Sequence, residues 1–175
     1  MNYLREQKEK DGIVMDMSLN DPSYPDAKRQ TVFAEGIEFQ DFVCIKLAEE
    51  NIILQNMASK KYQYAIGENL QGWEIKLDNL CTQTNRLSIE IAEKSKADNP
   101  VWVNSGIYRN DNSWLYIQGN MNVIFIFAKK ILVGLHKSKK YEEAEIPTLR
   151  KFYLPMQDAK KYCAKYIELG IIGIK

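Results

Sequence analysis

Histidine and cysteine are scarce in this sequence, and their scarcity excludes most of the chemistry that proteins build from them. The single histidine, His136, allows no Ser-His-Asp triad away from itself and has no partner imidazole for a metal. Cys44, Cys81 and Cys163 are far apart, odd in number and form no CxxC pair. A zinc site or a disulfide framework is therefore not expected. Long apolar runs are missing as well. Nothing approaches the roughly 18–20 residues of a membrane span, and the best stretch, Val123 to Leu135, is broken by Lys129 and Lys130. Met1 to Asp11 is too charged for a secretory signal, so the expected compartment is the cytoplasm.

What is present describes one ordinary domain. A chain of 175 residues, 45% hydrophobic and 27% charged, can bury a core without staples. The net charge of +1 hides an asymmetry. Residues 1–50 hold six Lys/Arg against eleven Asp/Glu, a balance of −5; residues 129–165 hold ten against four, a balance of +6. Basic surface in the last third would attract an anionic polymer, and Lys137, Lys139 and Lys140 are the expected nucleic-acid contacts. Solvated lysine-rich helix faces would give the same charge balance.

Residues 1–30 are poor in apolar residues and contain Asn20-Asp21-Pro22-Ser23-Tyr24-Pro25-Asp26; they read as an arm or irregular lead-in. Residues 31–175 read as one α+β domain. Phe39, Phe42, Val43 and Leu47 recur at helical spacing between Glu38 and Asn56. Tyr62–Ile66, Trp73–Leu77 and Leu87–Ile91 are alternating, turn-bounded runs of strand length, and their order suggests an antiparallel meander. Trp114–Ile117 and Val123–Phe127 read as two more strands. Ala128–Ser138 reads as a helix followed by a basic loop, and Met156–Leu169 as a closing helix.

The densest polar cluster runs from Gly67 to Asp78. If residues 73–78 form a strand, Glu74, Lys76 and Asp78 share one face, while Trp73, Ile75 and Leu77 feed the core. Both Glu74 and Lys76 would face solvent or a cleft. Glu68 lies in the turn just upstream. Two carboxylates and an ammonium at one end of a strand suit Mg²⁺ or Mn²⁺, hard ions that take one or two protein carboxylates and fill their shell with water and phosphate. Lysine would orient the attacking water and offset charge in the transition state. Glu90 on the following strand reads either as a further ligand or as the partner of Lys94 or Lys76. Glu74 and Lys76 also read as an ordinary surface pair.

Glu68, then Glu74-Ile75-Lys76, resembles the PD-(D/E)xK nuclease signature, an acid followed by E-x-K on the next strand. Ser105-Gly106-Ile107 and the apolar strands after it are similar to phage-type members of that superfamily. The resemblance covers roughly residues 33–137. It implies a restriction-endonuclease-like mixed central sheet flanked by helices, and a Mg²⁺-dependent (or Mn²⁺-dependent) endonuclease acting on DNA. Glu68 and Glu74 would hold the metal, Lys76 would be catalytic, and an acid on the first helix, Glu38 before Asp41, would join them. The first acid is normally aspartate, and here it is Glu68. A homodimer is an admissible assembly, and no membrane partner is expected. The rival reading is a non-catalytic α+β module that binds nucleic acid or protein, including a viral accessory or inhibitor protein.

Overall fold

Helix α1, Asp26–Glu49, buries one stripe, Phe39, Val43 and Leu47, at the i, i+4, i+8 spacing of a single helix face. It ends where Asn51 takes a left-handed conformation, φ 62°. Ile52 N–H then donates to the Leu47 carbonyl at 2.9 Å, capping the last turn. The computed structural model describes residues 26–57, 62–63 and 66–169. Most of the expected N-terminal arm, residues 1–25, lies outside the described residues, but α1 already begins at Asp26.

After α1 come β1 (Trp73–Leu77), a short helix α2 (Cys81–Thr84), β2 (Arg86–Glu93), β3 (Val103–Asn104) and a 3-10 turn at Gly106–Tyr108. The chain continues through β4 (Leu115–Asn120), β5 (Val123–Ala128), α3 (Lys129–Lys137), β6 (Glu143–Ile146), β7 (Leu149–Pro155), α4 (Met156–Tyr162) and β8 (Lys165–Glu168). The architecture is mixed α+β with two sheets, ordered β1-β4-β5-β8 and β3-β2-β7-β6.

Strand alternation sorts the first sheet into two faces. Ile75, Leu115, Ile117, Ile124 and Ile126 pack against the Phe39, Val43 and Leu47 stripe of α1. Tyr116, Val123, Phe125 and Phe127 face the other way. They meet Leu87, Ile89, Ile91, Phe152 and Leu154 of the second sheet, with Leu132 of α3 and Ala159 of α4. Toward β1 the second face turns polar, through Glu74, Lys76, Gln118 and Asn120. The core is therefore closed at β5 and leaves a polar recess at β1.

Four expectations are corrected. The meander is not formed: β1 pairs in parallel with β4, Glu74 opposite Tyr116 and Lys76 opposite Gln118. Residues 62 and 63 are helical, and 64–65 lie outside the described residues. The basic loop after α3 is a hairpin, β6 on β7. Its charges mask the buried pair Phe152 and Leu154. The closing helix stops at Tyr162, because the chain turns to lay β8 antiparallel along β5, with Tyr166 opposite Phe125. Cys44 and Cys163 are half-buried; Cys81 is the buried one, and burial, then Asp78, pushes its thiol up to about 12. Among the described residues no helix is long and apolar enough to cross a membrane.

Phe125 is fully buried between the two sheets. Phe125→Ala should destabilise the protein by about 3–5 kcal/mol, the usual cost of an aromatic deletion that leaves a cavity. Urea unfolding followed by circular dichroism measures it.

Candidate active site

Glu74 is the buried centre of a charge cluster. It is 1% exposed, on the polar side of β1. Neither of its carboxylate oxygens has a hydrogen-bond donor. Its neighbours are two ammonium groups: Lys76 Nζ lies 3.3 Å from Oε1 and Lys129 Nζ lies 3.7 Å from Oε2. Lys76 also faces Glu90 Oε2 at 4.0 Å. Asp78, last on this face, is used structurally: its Oδ2 accepts from Ser88 N–H at 2.8 Å and from Gln118 Nε2 at 3.1 Å.

Glu68 is held by the turn before β1. Its Oε2 accepts from the Ile75 amide at 2.8 Å and from Gln40 Nε2 at 3.4 Å. The turn is fixed by Asn69, which is fully buried. Asn69 Oδ1 accepts from Trp73 N–H at 2.9 Å, and its own carbonyl accepts from Asn112 Nδ2 at 2.9 Å. Gly72, φ 74°, leaves no room for a Cβ: one would stand 2.5 Å from the Asn112 carbonyl oxygen. On the other side, Ser105 Oγ donates to Glu90 Oε1. Gly106, φ 49°, lets the chain close on the Glu90 carbonyl, 2.3 Å from where its Cβ would be. The Ser-Gly pair singled out in the sequence thus positions Glu90.

Lys129, the first residue of α3, is 8% exposed. It is tethered to the Arg109 carbonyl at 3.1 Å, to Asp111 Oδ1 at 3.2 Å and to Ser113 Oγ. These acceptors solvate a buried ammonium that otherwise faces a carboxylate without a hydrogen bond. Asp111 is held below the usual carboxylate range: burial opposes ionisation, and the Ser113 hydroxyl and amide with Lys129 outweigh it.

The cluster shifts its own ionisation. Burial pushes Glu74 up from 4.5 to about 7; Glu68 and Glu90 push the same way, and Lys76 and Lys129 oppose. Burial alone would lower Lys76, but Glu90, Glu74 and Glu68 together hold it well above its ordinary value. Tyr116, whose hydroxyl is buried without a partner, is raised by burial and then by Glu74.

Of the expected site residues, Glu74, Lys76 and Glu90 are joined through Lys76, and Glu68 is near enough to act on the charges of Glu74 and Lys76. Glu38 is not among them: it is exposed on α1, as is Asp41. Phe39 turns to the sheet, so the residue on its far flank, Gln40, reaches Glu68 instead. Lys139 pairs with Glu143 at 2.7 Å and Lys140 with Asp158 at 2.9 Å, and Lys137 is exposed at the end of α3. None of these three lines the cleft of about 370 Å³ that opens beside Lys76; its cations are Lys76, Arg86 and Lys151. Glu74 is buried rather than solvent-facing, with Lys129, at the start of α3, against its second oxygen. Lys129 and Tyr116 were not legible as site residues, since a lysine opening a helix and a tyrosine in a strand are ordinary.

Among the described residues no three acidic, histidine or cysteine side chains are grouped tightly enough to enclose a metal. The oxygens a cation would use are those of Glu74, which accept no hydrogen bond but face Lys76 and Lys129, with Glu68 and Glu90 near enough to act on its charge. A hard ion that needs one or two carboxylates fits this set.

A raised folded pKa on an acid means that stability is fully present below 4.5 and lost as pH rises through about 7. In metal-free buffer, the unmodified protein should therefore lose up to about 3 kcal/mol relative to Glu74→Gln between pH 4 and pH 8. Urea unfolding of both proteins across that range measures the gap; a constant gap contradicts the assignment.

No protein-family model matches the chain, and no curated protein and no solved structure was found to be similar to it.

Proposed function

We propose that this protein hydrolyses phosphodiester bonds of DNA at the Glu68–Glu74–Lys76 cluster, with a restriction-endonuclease-like arrangement of helix and mixed sheet. The observation that carries the proposal is Glu74: a buried carboxylate that accepts no hydrogen bond, set between two ammonium groups, one of which, Lys76, lines the neighbouring cleft. Buried ion pairs without hydrogen bonds are costly, and an acid kept in that state is a candidate functional group. The E-x-K alternation on β1, and the α1 helix packed behind it, support the nuclease-like reading.

Glu68 and Glu74 would hold Mg²⁺ or Mn²⁺, with Glu90 alongside. When bound, the ion supplies polarisation of a phosphoryl oxygen and a lowered pKa for a coordinated water. Glu74, whose burial raises its pKa to about 7, would have to be ionised to act as a ligand, so metal uptake would be coupled to proton release. Lys76 stays charged. Its ammonium, 3.3 Å from Glu74, orients water toward the phosphate and offsets the charge that builds on phosphorus oxygens. Lys129 holds the second oxygen of Glu74 in place, and its tether to Asp111, Arg109 and Ser113 makes it a positioning residue.

A second reading is favoured by Lys76 itself, which already stands between Glu74 and Glu90 as a resident cation. In that reading the cluster is a self-neutralised remnant in a non-catalytic module that binds nucleic acid or protein. Incubation with linear, circular and branched DNA, in Mg²⁺ or Mn²⁺ and then in chelator, separates the two. Metal-dependent cutting is expected. Lys76→Ala should lower it by about 10²-fold or more while retaining metal binding by calorimetry, and Glu74→Ala should lose both. Cutting that survives Glu74→Ala defeats the assignment.

A further inference from the structure

Arg86, Lys151 and Tyr153 form one wall of the cleft beside the carboxylates, and the hydrolysis proposed above gives them no role. They belong to the face of β2 and β7 opposite the apolar core. Across the two strands Glu90 pairs with Lys151, Ser88 with Tyr153 and Arg86 with Pro155. The guanidinium carbon of Arg86 lies 3.6 Å from the Tyr153 ring centroid, and Lys151 Nζ lies 5.2 Å from it. The wall is thus a cation, an aromatic ring and a second cation in a row; Arg86 Nη1 also lies 3.5 Å from the exposed Glu142 carboxylate, a long surface pair of the kind worth little, which a phosphate would have to displace. Lys151 stands next to Glu90 and hence to Lys76. Arg86 stands four residues further along β2, roughly 13 Å at strand rise.

Two features of the cleft limit what can enter. Its volume of about 370 Å³ is near the small end of the roughly 300–1,000 Å³ typical of sites that take one small molecule. That is room for a nucleotide and not for stacked base pairs. The carboxylate that would carry the chemistry is 1% exposed. A duplex is a stiff rod, which holds its phosphates away from such a recess, whereas an unpaired strand bends into it.

We propose that this wall binds a single unpaired DNA strand, with Arg86 and Lys151 on its phosphates and the Tyr153–Arg86 stack as the platform for a base. Planar guanidinium suits phosphate bidentately, and base stacking on an aromatic surface tolerates any sequence. The proposal takes its direction from the phosphodiesterase reading and narrows its substrate to single-stranded DNA or the unpaired part of a branched one.

The test reads binding without cutting. Fluorescence anisotropy in chelator compares a labelled thymidine dodecamer with a duplex of equal length, across a salt titration. The single strand should bind at least tenfold tighter than the duplex. Arg86→Gln with Lys151→Gln should weaken single-strand binding about tenfold or more. It should also flatten the log–log salt slope by about 1.4, at roughly 0.7 per phosphate contact. Tyr153→Leu should weaken binding with the salt slope unchanged. Lys151→Gln alone, at a half-exposed position, should give part of the slope change and guards against misfolding of the double variant. Equal affinity for both DNA forms, or unchanged affinity in the double variant, overturns the proposal. Unmodified protein that binds as expected but cuts nothing in Mg²⁺ supports the wall and defeats the hydrolysis reading. Metal-dependent cutting of the single strand at the unmodified rate by the double variant, under subsaturating substrate, does the reverse.

Discussion

The burial of the Glu74 carboxylate between Lys76 and Lys129 is the constraint on which the rest of the site depends. An acid at 1% exposure without a hydrogen-bond donor would be neutralised or expelled unless cations stood beside it. The two lysines approach from different parts of the chain. Lys76 comes from the same strand, two residues on, where alternation places it on the same face. Lys129 comes from the first turn of α3, delivered there by the β4–β5 hairpin, and its amide donates to the Trp114 carbonyl at 2.8 Å. Its ammonium is then shared among Asp111, the Arg109 carbonyl and Ser113. Neither lysine donates a hydrogen bond to Glu74, so its charge is balanced by proximity alone, at 3.3 and 3.7 Å.

The surroundings are rigid where the cluster needs rigidity. Asn69 acts as a spare peptide group, bonding both the amide and the carbonyl of Trp73, and so fixes the turn that carries Glu68. Gly72 and Gly106 occur at positive φ where a side chain would strike neighbouring backbone. One brings the Asn112 loop against the start of β1, and the other brings the Ser105 turn against Glu90. The acids are therefore set by backbone packing and side-chain hydrogen bonds rather than by each other. Mutually repelling carboxylates need such a frame, because nothing in their own interaction would hold them together.

Much of this was legible in the chain, and the limits have physical reasons. Alternation in Trp73–Leu77, Leu115–Asn120 and Val123–Ala128 assigns the strand faces, so Glu74 and Lys76 could be put on one side and Ile75 on the other. The partner of β1 could not be read, because parallel pairing with β4 joins residues about forty apart through a register that no local signal encodes. Arg150 and Lys151 ahead of Phe152, with Glu142, Glu143 and Glu145 earlier in the run, hid the β6–β7 hairpin, and with it the cleft wall. The run from Met156 to Leu169 kept a helix-like spacing past Tyr162, yet pairing with the open edge of β5 took its second half into β8. Glu38 lies two residues before Gln40, about 200° around α1, and so on the flank of Phe39 away from Glu68. Charge totals over residues 129–165 pointed to Lys139 and Lys140, but Glu143 and Asp158 already neutralise them.

The most direct measurement is a carbon-13 NMR titration of the Glu74 side-chain carboxyl, without metal and then with Mg²⁺. A midpoint near 7 without metal, falling toward or below the ordinary carboxylate range when Mg²⁺ is added, is the result expected of a buried, unpartnered acid that becomes a ligand. A midpoint near 4.5 that Mg²⁺ does not move would contradict both the burial of its charge and its role at the centre of the site.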